Sequence, residues 1–263
     1  MVKLVGVPLD TNSFFLKGPS AAPQFIRLIE RIGCTNPFSE DGTNVYKDNI
    51  YEDVGDISFE DTNPEKAFYT IKNRTTELIS DRNKLIFIGG DHSVTYPIIS
   101  AYVEKYDNLN VLHLDAHADL RDIIHDNLYS HSSQFARIME TGKINSLTQV
   151  GVRTLCSHQR EQAKKFCVNI IEMKDFNLNF IEALKSPLYI SIDIDVLDPA
   201  FAPGVTYCEP GGMTTRQLIE IIQNTNVKII GADIVEFNPF RDINNMTALV
   251  CYKLLKELIA KMI

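Results

Sequence analysis

Hydrophobic and polar positions follow two rhythms along the chain. Short runs rich in β-branched residues begin at Lys3 (KLVGVPL), Lys84 (KLIFIGG), Asn110 (NVLHLDAH), Leu147 (LTQVGVR), Leu188 (LYISIDID) and Val227 (VKIIGADIVEF). Several lack a polar face, as strands do when a parallel sheet is covered by helices on both sides. Amphipathic stretches lie between them. Pro64 to Ile79 reads as a helix with Asn63 as its cap and Pro64 in the first helical position. Near the end, Ala248, Tyr252, Leu255, Ile259 and Met262 recur at spacings of four and three and form one apolar stripe. No Pro-, Gly- or Ser-rich tract divides the chain and no internal repeat is visible, so residues 1–263 are expected to form a single α/β domain with a mostly parallel sheet.

The sharp polar residues fall where three of these runs end. Ile86-Phe87-Ile88 leads into Gly89-Gly90-Asp91-His92-Ser93, Val111 to Leu114 into Asp115-Ala116-His117-Ala118-Asp119, and Tyr189 to Ile192 into Asp193-Ile194-Asp195. The carboxyl edge of an open α/β sheet is where ligands bind, so three strands aim carboxylates and imidazoles at one crevice. Within each of the last two clusters the acidic and imidazole residues are two apart, which in extended backbone puts them on one side with Ala116, Ala118, Ile192 and Ile194 on the other. Taken singly, such an Asp is more often a cap or turn former and such a His a satisfied core residue. Together, carboxylates this close cannot all ionise uncompensated. Bound cations remove the conflict. His92, His117, Asp115, Asp119, Asp193 and Asp195 exceed what one ion usually takes from protein and suit two ions sharing bridging carboxylates; the oxygen-rich mixture favours Mn(II). His113, inside its run, keeps a structural reading, and His158 is expected to be solvated.

Composition narrows the partners. With 26 Lys+Arg against 34 Asp+Glu the formal charge is -8, which removes the electrostatic footing for nucleic-acid binding and suits a metal or a small cation. No apolar run approaches the ~18 residues of a membrane helix, and the first ten residues turn polar too early for a signal-peptide core. A cytoplasmic protein with no membrane partner is expected. The 5 cysteines, Cys34, Cys156, Cys167, Cys208 and Cys251, are scattered and fit neither a disulfide framework nor a thiolate zinc site.

The motifs GGDHS (Gly89 to Ser93), DAHAD (Asp115 to Asp119) and SIDIDVLDPAFAPG (Ser191 to Gly204) are joined by KGPSAAPQFIR from Lys17, YSH ending at His131, VGVR from Val150 and DIVEFNP from Asp233. In these segments the chain resembles the ureohydrolases: the arginases, agmatinases and related guanidino-group hydrolases. The similarity runs through nearly the whole chain. It implies a three-layer αβα fold around a central, mostly parallel eight-stranded sheet, and a homo-oligomer, trimer or hexamer. It implies two Mn(2+) per subunit, His92 and Asp119 serving one, His117 and Asp195 the other, with Asp115 and Asp193 bridging. It further implies that Asp119 accepts a proton from the attacking water, that His131 shuttles protons, and that Glu236 holds the guanidinium of a small cationic substrate. Read without the family, Glu236 is more readily a surface acid at a strand end and His131 a helix-start residue. Asp91, Asp198 and Asp233 are expected to be structural.

The substrate tail is less legible. The resemblance is nearer to agmatinases than to arginases in Leu120-Arg121-Asp122 leading to Tyr129-Ser130-His131, and no acidic residue follows Arg153, where Thr154-Leu155-Cys156 stands. Agmatine, giving putrescine and urea, is therefore the expected substrate. Arginase, guanidinobutyrase or formiminoglutamase activity is the near alternative, and a catalytically silent metal-binding regulator the alternative of another class. Where relatives usually read T-G-T-P, this chain has Val205-Thr206-Tyr207-Cys208, so the backbone there is expected to take its own path, with Tyr207 either narrowing the pocket or packing.

Overall fold

A computed structural model describes residues 1–47, 49–79, 83–124 and 126–263. Of the loop compared with agmatinases, His125 lies outside the described residues. The strands are β1 (Val2–Gly6), β2 (Tyr51–Asp56), β3 (Lys84–Ile88), β4 (Leu109–Leu114), β5 (Ile144–Val152), β6 (Asn169–Glu172), β7 (Leu188–Asp193) and β8 (Ile229–Val235). They form one eight-stranded sheet in the order β2-β1-β3-β8-β7-β4-β5-β6, with every pairing parallel.

The two-residue period of the strands divides the core into two faces. Ile86, Ile88, Leu112, Leu114, Ile190 and Ile192 pack on one face beneath α1 (Ala22–Ile32), α6 (Thr215–Asn224) and α7 (Met246–Met262). Leu85, Phe87, Val111 and Tyr189 pack on the other, against α2 (Pro64–Leu78), α3 (Thr95–Lys105) and α4 (Gln134–Glu140). The five residues of the C-terminal stripe are all buried on α7. A further helix, α5 (Ser157–Lys165), links β5 to β6. The result is the expected three-layer arrangement.

The apolar runs locate six strands and miss two, and the two are the sheet's edges. β2 (YEDVGD) and β6 (NIIE) are largely half-buried or exposed, so no continuous apolar run marks them. The expected extents also need trimming. The helix after Asn63 ends at Leu78, with Ile79 extended as its C-cap, and β7 stops at Asp193 before a 3-10 turn over Ile194–Val196. No helix among the described residues is long and apolar enough to cross a membrane.

The strand order places β3, β8, β7 and β4 side by side, although the chain runs from β3 directly to β4. This reversal opens a crevice at their carboxyl ends. Central burial should also dominate stability: Ile190→Ala in β7 is expected to cost about 2–5 kcal/mol. Ile170→Ala in edge strand β6 should cost clearly less, both read as shifts of the urea midpoint.

Candidate metal and active site

Each ligand-type residue is delivered by a turn at the end of a central strand. After β3, the Asp91 carboxylate accepts from Ser93 N at 3.1 Å and caps the 3-10 turn His92–Val94. Gly90 is required here, because a Cβ would lie 1.7 Å from the Leu9 carbonyl oxygen. After β4, Asp115 Oδ1 accepts from His117 N at 2.5 Å, and Asp119 follows with φ +50. At the end of β7, Asp193 Oδ1 accepts from Asp195 N at 2.9 Å, while Asp195 Oδ1 accepts from Ala116 N at 3.1 Å and ties the two turns together. After β8, Glu236 turns away with φ +63 and accepts from His92 N at 2.8 Å through Oε1.

These turns correct the expectation of extended alternation. Asp115, His117 and Asp119 lie beyond β4, and Asp195 lies beyond β7. Asp115 and Asp193 accept backbone N–H groups two residues on, the local bonding to which Asp is prone, whereas Asp195 is held by Ala116 N and Asp119 by the Gln134 side chain. Left-handed backbone at Asp119 and at the non-glycine, non-Asx Glu236 is uncommon and persists where surrounding contacts hold it.

The six residues come together. His92 Nδ1 lies 3.1 Å from Asp115 Oδ2, 3.2 Å from Asp193 Oδ2 and 3.3 Å from Asp119 Oδ2. His117 Nδ1 lies 3.0 Å from Asp195 Oδ2 and 3.3 Å from Asp115 Oδ1. Asp115 thus offers one oxygen to each imidazole, as a bridging carboxylate must.

Hydrogen bonding around His92 tests whether cations fit. Ser191 Oγ donates to Asp233 Oδ1 at 2.7 Å, so it accepts from His92 Nε2–H at 3.0 Å. Nδ1 is then left to face the centre: it is buried, without a hydrogen bond, and points at three carboxylate oxygens. A lone pair among anionic oxygens is repulsive unless a cation or a proton lies between them. Burial and the charges of Asp195 and Asp115 push Asp193 well above the usual carboxylate range. For His92, burial acts downward, but the facing Asp115, Asp119 and Asp193 outweigh it and raise it well above the ordinary imidazole value. The donor set and its orphaned nitrogen fit divalent ions.

Residues outside the motifs orient this centre. Gln149 Nε2 donates to Ala118 O at 2.6 Å and to His113 Nδ1 at 2.9 Å, so His113 Nε2–H donates to Asp115 Oδ2 at 2.7 Å. His113 therefore aims Asp115 rather than supplying a ligand, in keeping with its structural reading. Gln134 Nε2 holds Asp119 Oδ2 at 2.6 Å. Asp233 accepts from Thr95, Tyr189 and Ser191, and Asp91 from the backbone of Asn12 and Ser13. Gln149 carried a readable signal, an amide within an apolar strand; Asn12 and Gln134 carried none.

Beside the cluster lies a cavity of about 290 Å³ whose lining includes His92, His117, Asp119, Asp193, Asp195, His131 and Glu236. His131 Nδ1 donates to the Asn12 carbonyl at 3.0 Å. Glu236 Oε2 is buried without a partner, and burial together with the charge of Asp91 pushes this carboxyl well above its usual range. Arg121, exposed, and Glu209, half-buried, also line the cavity. His158 is exposed, and Asp198 accepts from Ala200 N, Gly211 N and Gly212 N as a turn former.

The model of the Arginase family matches residues 1–260. The chain belongs to the arginase family. Arginase 1, mitochondrial, of Arabidopsis thaliana is 42% identical over 274 residues, covering 98% of this chain and 80% of its own length. Agmatinase of Bacillus cereus is 30% identical over 271 residues, covering 98% and 90%. The solved structure of the arginase from Medicago truncatula has a TM-score of 0.93 at 38% identity, covering 99% of this chain and 87% of that one.

Arginase-family proteins are binuclear-metal hydrolases of guanidino compounds, and this chain is a metal-dependent hydrolase acting on linear amidines. Its acid–imidazole cluster stands where the sheet order reverses. Chelation should lower Tm reversibly, since metal at about 100 times its Kd adds about 2.7 kcal/mol per site. Elemental analysis should find about two divalent ions per wild-type chain and a marked loss in Asp115→Ala, which removes a carboxylate shared by two sites.

Proposed function

We propose that this chain is a manganese-dependent arginase, converting L-arginine to ornithine and urea. The observation that carries the reading is the identity gradient: proteins named arginase match at 42% and 41%, whereas those named agmatinase match at 30%. This turns the expectation away from agmatine. The cavity lining supports the same choice. Arginine ends in a carboxylate and an ammonium, agmatine in an ammonium alone. Arg121 suits the carboxylate and Glu209 the ammonium, which answers the missing acidic residue after Arg153.

His92, Asp115, Asp119 and Asp193 would hold one ion, and His117, Asp115, Asp193 and Asp195 the other. When bound, these ions supply compensation for the buried carboxylates and a lowered pKa for the attacking water. The chain's own groups do the rest. Glu236 Oε2, lacking any protein partner, accepts N–H from the guanidinium and sets its carbon against the cluster. Asp119, steadied by Gln134, takes the proton of the attacking water. His131 has its Nδ1–H committed to the Asn12 carbonyl, which leaves Nε2 to carry a proton to the departing amine. The five cysteines are free, which supports a reducing compartment, the cytosol in our reading.

Manganese-loaded protein should be offered arginine, agmatine, guanidinobutyrate and formiminoglutamate, with urea and formamide measured separately. Arginine should exceed agmatine in kcat/KM by about tenfold or more, equivalent to about 1.4 kcal/mol; preference for agmatine would overturn the reading. Arg121→Ala should raise KM for arginine and leave that for agmatine unchanged. His131→Ala should lower kcat about 10²- to 10⁴-fold at full metal content. Glu236→Gln should lower kcat/KM about 30- to 150-fold, the worth of a charge-assisted bond of about 2–3 kcal/mol.

A further inference from the structure

The loop Val205 to Cys208, where this chain departs from the usual T-G-T-P of the ureohydrolases, is firmly seated. Val205 forms an antiparallel bridge with Phe237, and Asn238 donates its backbone N–H to Gly204 O at 2.8 Å and its side-chain amide to Thr206 Oγ1 at 3.3 Å. The loop is thereby stapled to the segment that carries Glu236, and it presents Tyr207 to the cavity.

Tyr207 lies against His131. The rings are nearly parallel at 18°, with centroids 5.7 Å apart, and Phe14 covers His131 with centroids 4.5 Å apart at 43°. Phe15 packs on Tyr207 at 5.4 Å. The phenol oxygen is buried with no hydrogen-bond partner, so no bond to the protein accounts for the residue's placement. What Tyr207 contributes to its neighbour is a flat aromatic face.

That face bears on the weakest part of the His131 arrangement. One hydrogen bond, Nδ1–H to the Asn12 carbonyl, selects the tautomer, and a ring that tilts away from the carbonyl breaks that bond and loses the selection. Aromatic contacts add about 0.5–1.5 kcal/mol of orientation-dependent attraction, enough to shift such a rotational balance about two- to tenfold. A Thr in this position would have no ring to offer.

We propose that Tyr207 is a positioning residue for His131: together with Phe14, whose ring meets its own edge-on at 6.5 Å, it forms an aromatic wall that limits the tilt of the imidazole, so that Nδ1–H stays on Asn12 and Nε2 remains directed to the substrate. The proposal rests on the reading of His131 as the proton carrier. Its first test does not require activity. In ¹⁵N-histidine spectra of protein loaded with diamagnetic Zn(II), wild type and Tyr207→Phe should show one Nδ1–H tautomer for His131, whereas Tyr207→Leu, similar in bulk but without a ring, should show mixed tautomers. In the Mn(II) enzyme, Tyr207→Phe should keep kcat. Tyr207→Leu should lower it about tenfold with KM little changed, a partial loss of acid–base catalysis. In a His131→Ala background, Tyr207→Leu should cost nothing more. A single tautomer retained in Tyr207→Leu, an equal kcat loss in Tyr207→Phe, or an undiminished loss in the His131→Ala background would each overturn it. Normal turnover in His131→Ala alone would instead remove the proton-carrier role and leave the tautomer result to decide the positioning role.

Discussion

Asp115, Asp119, Asp193 and Asp195 are brought together in the interior: all four are buried, and their oxygens crowd two imidazole nitrogens at 3.0–3.3 Å. Like charges in that setting repel strongly, and removal from solvent adds a further penalty. The surrounding protein provides backbone N–H donors, and divalent ions would provide the remaining compensation. The geometry of the cleft follows from this requirement. Four adjacent strands end together, and the turns that follow them bond carboxylates to backbone rather than to water.

Hydrogen bonds then specify which atoms face the centre. Ser191 takes one nitrogen of His92, Gln149 orders His113 so that it can donate to Asp115, and Asn12 takes one nitrogen of His131. Each bond selects a tautomer, so a ring becomes either a donor aimed at a carboxylate or a nitrogen presented to the centre. Asp91 and Asp233 receive donors from several elements, which couples the cluster to the loop after β1, to α3 and to β7.

The parallel sheet makes this economical. Strands buried on both faces leave their carboxyl ends as the natural outlet for polar side chains, and the reversal in strand order opens space beside them. The helices of the two outer layers keep the strands dry without covering that edge.

Much of this was legible in the chain itself. Apolar runs marked the six inner strands, because burial on both faces leaves a local trace in each strand's own residues. Asp and His at the ends of three runs marked the centre for the same reason, since strand end and cleft coincide in this architecture. The edge strands β2 and β6 left little trace, being half in solvent. Spacing by two in extended backbone led to the right convergence by the wrong route: Asp115, His117 and Asp119 do converge, but through turns whose hydrogen bonds no periodicity records. Glu236 and His131 were recognisable through family motifs alone. The placing of Asn12, Phe14 and Tyr207 around His131 was decided by tertiary structure, because it joins residues from three distant loops, and a contact made by the path of the chain has no signature in any one of them.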